Sequence, residues 1–208
     1  MPDRAAFFTF LIAALMLNIA PGPDMLYVAG RSVGQGRRAG IVSALGIFAG
    51  CWAHILAAAF GVAALLRSSP VAFNAVRYAG AAYLFYLGIK ILRQRATQLT
   101  EPSLSPEGLD RIFYQGVITN VLNPKVAIFF LAFLPQFIDA RRGSVVLQIL
   151  LLGLIFNLGG TLVNLAVACA GGTLGELLRR NARFARIQQW LTGLVFIGLG
   201  ARLAWQRR

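Results

Sequence analysis

The sequence predicts an all-α integral membrane protein: six transmembrane helices in a 3+3 inverted repeat, with helices one and four discontinuous. Three observations carry that expectation. The chain of 208 residues is 58% hydrophobic and only 13% charged, with a mean hydropathy of +0.69. Its apolar residues gather into six long runs, most of them near the roughly 20 residues a helix needs to cross a bilayer. Two of those runs, about half the chain apart, are broken by the same polar punctuation. The first reads Asn18-Ile19-Ala20-Pro21-Gly22-Pro23-Asp24, the second Asn120-Val121-Leu122-Asn123-Pro124-Lys125.

The first run, 7–28, follows a short head in which Asp3 offsets Arg4. No small-x-small cleavage site follows it, so it reads as a retained first helix and not as a leader. Pro21 and Pro23 each remove a backbone donor and clash with the preceding turn, at about 3 kcal/mol for a proline inside a helix. With Gly22 between them they predict a full break. The second run, 41–66, carries a GxxxG at Gly46 and Gly50, a pattern that lets helices approach closely in lipid, and His54. The third, 73–92, carries Tyr78, Gly80, Leu84, Leu87, Gly88 and Lys90. The fourth, 116–137, breaks at Asn123-Pro124. The fifth, 145–169, places Asn157, Thr161 and Asn164 at spacings of four and three, on one helix face. The sixth and shortest, 187–205, repeats the pattern of the third with Trp190, Thr192, Phe196, Leu199, Gly200 and Arg202.

Three helices per repeat is an odd number, so two such repeats enter the membrane from opposite sides. The chain therefore reads as one membrane domain over 1–208. Repeat one covers about 1–92, a connecting loop 93–115 and repeat two about 116–208. The loop holds Pro102, Ser103, Ser105 and Pro106 beside Glu101, Glu107 and Asp110. Basic residues slightly favour the connections after helices one, three and five, which puts both termini outside by the positive-inside rule.

The net charge of +13 does not point to nucleic acid. The basic residues sit mostly in short connections, where topogenic charge belongs and where they meet anionic lipid headgroups. No recognition helix or stacking platform accompanies them. Cys51 and Cys169 lie inside apolar runs without CxxC or metal-ligand spacing and read as small fillers. No nucleophile–base set or HExxH pattern marks an enzyme, and neither a cofactor nor a metal site is expected.

The candidate site is where the breaks meet. The freed carbonyls around Asn18 to Ala20 need partners, whether water, ligand or side chain. The half-helix starting near Pro23 offers unpaired N–H groups suited to a carboxylate, and Pro124 with Asn123 does the same less severely. A simple kink is the alternative at each. Asp24 and Lys125 are costly inside a bilayer, about 2.5–3.5 kcal/mol each. They could pair with each other, or bind the two ends of a zwitterion. Alternatively Lys125 snorkels to an interface and Asp24 caps a half-helix. The expected translocation residues are Asn18, Pro21, Gly22, Pro23, Asp24, Asn120, Asn123, Pro124, Lys125, Asn157 and Thr161. Asp24 and His54 are the candidates for proton coupling, His54 because imidazole titrates near neutrality, although a lone buried histidine is also an ordinary hydrogen-bonding group.

These motifs resemble the LysE/RhtB amino-acid exporter family. The resemblance rests on Pro21-Gly22-Pro23-Asp24 followed by Arg31, Gly36, Gly40, Gly46 and His54. It continues through Tyr83-Leu84 and Leu87-Gly88 to Asn123-Pro124-Lys125, Phe129-Phe130-Leu131 and Leu134-Pro135-Gln136-Phe137. It spans nearly the whole chain and looks closer to the threonine, homoserine and leucine branch than to the lysine branch. It implies a multi-pass protein of the bacterial inner membrane that exports amino acids or close derivatives, driven by protons. Membrane lipid is its surrounding, and the small residues of the Gly46–Gly50 pattern offer a homodimer contact as the alternative to packing within one chain. A metal or inorganic-ion exporter on a related inverted-repeat fold is the alternative, thinly supported by His54, Asp24 and two unpaired cysteines.

Overall fold

The computed structural model describes residues 4–20, 22–68, 70–93 and 107–180, with 186, 190, 193–194, 196–198, 200–201 and 204–205. The described residues are helical with short connections, and none is in a strand. The first apolar run forms two helices, α1 (Arg4–Ile19) and α2 (Pro23–Gln35), bent by 45°. Pro21 lies outside the described residues. Gly22 is extended and Pro23 takes the first position of α2, where its fixed φ suits a helix and its missing donor is not needed. Gly36, at φ 86°, turns the chain in the left-handed region that favours glycine. There α3 (Arg37–Ser68) begins, followed by α4 (Pro70–Arg93).

The fourth run is broken as the first is. Helix α5 (Leu109–Val121) and α6 (Pro124–Ile128) meet at a 45° bend, the latter extended by a π turn (Phe129–Phe133) and a 3₁₀ turn (Leu134–Phe137). Asn123 caps α6, its Oδ1 accepting from Lys125 N at 3.0 Å. A short 3₁₀ turn (Ala140–Arg142) leads to α7 (Val145–Arg180).

One expectation changes. The connecting segment is shorter than 93–115, because Leu109 to Gln115 form the first turns of α5. Its buried positions Ile112, Gly116 and Asn120 recur every four residues, while Asp110 and Arg111 face outward. Among the described residues two helices are long and apolar enough to cross a membrane, Arg37–Gly61 and Val145–Ala170, and the number rises to four if each bent pair is one span. Helix α4, diluted by Asn74, Arg77, Lys90 and three tyrosines, is not among them. Nine of the 19 positions of the sixth run, 187–205, lie outside the described residues, including Thr192, Leu199 and Arg202.

Helix α3 sits between α5 and α7. A Cβ on Gly46 would lie 2.2 Å from Phe113 O and one on Gly50 would lie 2.6 Å from Val117 O. Gly116 repays the contact from α5, its Cβ position 2.7 Å from Ser43 O. The GxxxG of the second run is thus consumed inside the chain. An aromatic core lies beyond the breaks, with Phe129 stacked on Phe156 at 4.1 Å and Phe10 edge-on to Phe137 at 5.4 Å.

Candidate functional site

The proline chemistry of the first break creates a specific need. In a continuous helix the carbonyl of Leu17 accepts from the N–H of residue 21, and a proline there has none. The partner comes from the other break. Lys125 Nζ donates to Leu17 O at 3.0 Å and to Ala20 O at 2.8 Å, a cation placed on the negative end of α1. Gly22 makes room for it, since a Cβ there would lie 3.2 Å from Nζ. Lys125 therefore does not snorkel.

Nor does it pair directly with Asp24: among the described residues no ion pair joins the two. Asp24 lies in the first turn of α2, where a carboxylate suits the dipole, but Gly22 is the cap position. Asp24 Oδ2 accepts from Asn120 Nδ2 at 2.8 Å. Its other oxygen, Asn120 Oδ1 and Asn123 Nδ2 are buried without a hydrogen-bond partner of good geometry. Such groups carry a desolvation penalty of about 1–3 kcal/mol each.

The remaining expected residues fall into two layers. Asn18, Asp24, Asn120, Lys125, Asn157 and Thr161 line one cavity together with Asn164 and Cys51. Its volume is ≈ 30 Å³, room for one or two waters. Asn18 Nδ2 donates to Phe156 O at 3.0 Å and Asn157 Nδ2 to Phe48 O at 3.1 Å. Thr161 Oγ1 donates back to Asn157 O at 2.7 Å. These bonds tie α1, α3 and α7 together round the cavity. Gly22, Pro23, Asn123 and Pro124 shape the two half-helix starts. His54 stands behind the cavity. Its Nε2 bonds Asn120 O at 2.9 Å, so that nitrogen carries the proton, and its ring stacks on Phe130 at 6.2 Å.

A second polar cluster was not expected. Buried Arg31 on α2 donates to Gln35, to Gln115 Oε1 at 2.6 Å and to Glu107 Oε2 at 3.2 Å. Gln115 Nε2 also donates to Glu107 at 2.7 Å, and Tyr27 Oη donates to Ile112 O at 2.8 Å. From Asp24–Asn120 through Tyr27–Ile112 to Arg31–Glu107, rising numbers on α2 meet falling numbers on α5 and the residues just before it. The two half-helices are therefore antiparallel. A sequence signal existed: Asp24, Tyr27, Arg31 and Gln35 recur every three or four residues, a polar stripe running from the break.

The LysE type translocator family model matches residues 15–207. The chain belongs to the LysE type translocator family. It is a multi-pass membrane translocator and not an enzyme. A leucine efflux protein of Salmonella choleraesuis (strain SC-B67) is 33% identical over 201 residues, covering 95% of this chain and 94% of that one. A leucine efflux protein of Enterobacter sp. (strain 638) is 32% identical over 205 residues, at the same coverage. An uncharacterised membrane protein of Pseudomonas aeruginosa is 32% identical over 203 residues. No solved structure matches.

Proposed function

We propose that this LysE type translocator is a secondary active exporter of amino acids, leucine first among them, working by proton antiport in a bacterial inner membrane. The observation that carries the reading is the meeting of the two breaks, where Lys125 of one half binds the orphaned carbonyls of the other beside Asp24. Discontinuous helices that supply carbonyls and half-helix N-termini near the membrane midplane are how many secondary transporters hold substrate. Full-length likeness to leucine efflux proteins gives the substrate class.

The architecture proposed is six spans in two inverted halves, about 1–92 and 116–208, joined by the segment between. The antiparallel course of α2 and α5 and the equal 45° bends support it. Substrate enters from the cytoplasm, reaches the cavity lined by Asn18, Asp24, Asn120, Lys125, Asn157 and Thr161, and leaves outward as the halves rock. A proton then crosses inward on Asp24, with His54 behind it as the second candidate. The metal-exporter alternative is not favoured, since its relatives would not bear these names.

The test is efflux of labelled leucine from proteoliposomes with an imposed inward proton gradient. Wild type should accelerate with the gradient. Asp24→Asn and Lys125→Ala should each lower the rate at least tenfold. Unchanged rates in both variants would remove the site assignment, and a wild-type rate indifferent to the gradient would remove proton coupling.

A further inference from the structure

We infer that the ammonium of Lys125 stands in for the α-ammonium of the substrate: it holds the carbonyls of Leu17 and Ala20 until a zwitterion takes that seat and Lys125 moves onto the zwitterion's carboxylate. The inference rests on the amino-acid reading above and adds the atoms and the exchange.

The acceptor set comes first. Leu17 O and Ala20 O converge on a single cationic nitrogen at 3.0 and 2.8 Å. Asp24 and Asn120 line the same cavity, and the buried side-chain oxygen of Asn120 has no hydrogen bond. Asn120 is 2% exposed, so bulk water does not serve it. An α-ammonium carries three donors, and two carbonyls with a carboxylate oxygen are a matching set. Lys125 fills the carbonyl part of it, and the Asp24 carboxylate beside the cavity supplies the rest.

Lys125 also has the means to leave. Its four-carbon stem is flexible and ends in a compact charge. Gly22 lies along it, with a notional Cβ 3.4 Å from Cε and 3.6 Å from Cδ, so the missing side chain leaves the stem a path. The charges then select the ligand. The site brings one formal cation and one formal anion. A zwitterion adds one of each, so Lys125 meets the substrate carboxylate while Asp24 meets the substrate ammonium. A cation without a carboxylate would displace Lys125 and leave it with no anion. An anion without an ammonium would draw Lys125 away and leave the Leu17 carbonyl orphaned again.

The test measures binding of leucine, leucinamide and N-acetyl-leucine to purified full-length protein, in wild type, Lys125→Met and Lys125→Gln. Glutamine can still donate to the carbonyls without charge, so it holds the break closed if methionine does not. Wild type should bind leucine at least tenfold more tightly than leucinamide or N-acetyl-leucine. Both variants should lose at least tenfold for leucine and gain at least tenfold for leucinamide. Wild type that binds leucinamide as tightly as leucine overturns the exchange, as does a folded variant with no gain for leucinamide. If wild type exports leucine yet the variants show no such swap, the exchange alone is wrong. If wild type binds no amino acid, the amino-acid reading falls and the exchange with it.

Discussion

The same substitution at two glycines of α3 should have opposite signs. At Gly46 a Cβ would lie 2.2 Å from Phe113 O and 3.1 Å from Gly116 Cα. An ordinary carbon–oxygen approach is about 3.3–3.6 Å, so Gly46→Ala is short by about 1 Å. Its neighbour is backbone, and no rotamer change can relieve it. Helices α3 and α5 must part, and overpacking of this kind costs about 1–3 kcal/mol. At Gly61 nothing lies within 4 Å of the added methyl, so Gly61→Ala should gain about 0.5–1 kcal/mol from helix propensity alone. For a chain of this size about 1 kcal/mol moves the melting temperature by roughly 2–4 °C, so the two variants should differ by several degrees or more. The assay is thermal unfolding of the purified protein in detergent, with leucine efflux measured alongside. Because α5 carries Asn120 onto Asp24 at 2.8 Å, parting α3 from α5 should cut efflux by more than the loss of folded protein explains. A Gly46→Ala protein that melts at or above wild type would refute the close α3–α5 contact and the account of the GxxxG as internal packing.

Two further predictions concern the polar groups. Glu107→Gln removes the anion from buried Arg31 and should cost about 1.5–3 kcal/mol, the range for a hydrogen bond to a charged group; Arg111→Ala, whose side chain is 71% exposed, should stay within about 0.5 kcal/mol, and equal melting curves for the two would show that the Arg31 cluster holds nothing. Asn123→Ala removes the cap of α6 and should cost about 1 kcal/mol, with Asn123→Ser restoring most of it in a melt; if serine is as poor as alanine, the cap is not what Asn123 contributes.

Much of this was readable from the residues, and the limits have physical causes. Pro23 and Pro124 remove a donor wherever they stand, so both breaks could be placed without knowing what surrounds them. The partner of Leu17 O could not, because it depends on which helix crosses the break, and Lys125 is 108 residues away. Helix α5 was partly missed because Asp110 and Arg111 resemble a polar connection by composition. Their helical period appears only when Ile112, Gly116 and Asn120 are taken as one face. By its distance from a span end Arg31 looks like a topogenic charge, although it is 1% exposed on the stripe that starts at Asp24. The π turn at Phe129–Phe133 leaves no local mark, since it answers to the packing of rings from α1 and α7.

The two breaks resemble each other in sequence but divide the work unequally. The first ends α1 in carbonyls that the break has left without donors. The second caps its own half-helix with Asn123 and sends Lys125 across. One break is thus the electrostatic complement of the other, and the contact between them joins the two halves of the chain. Pulling the halves apart strips Lys125 of its acceptors and the carbonyls of their donor at once. In a medium without water each unsatisfied group costs several kcal/mol, so the site resists opening by itself. Anything that lowers that barrier must bring an acceptor for the ammonium and a donor for the carbonyls together. A free carboxylate or a free amine supplies only one of these, whereas a single molecule carrying both at α-amino-acid spacing supplies the pair.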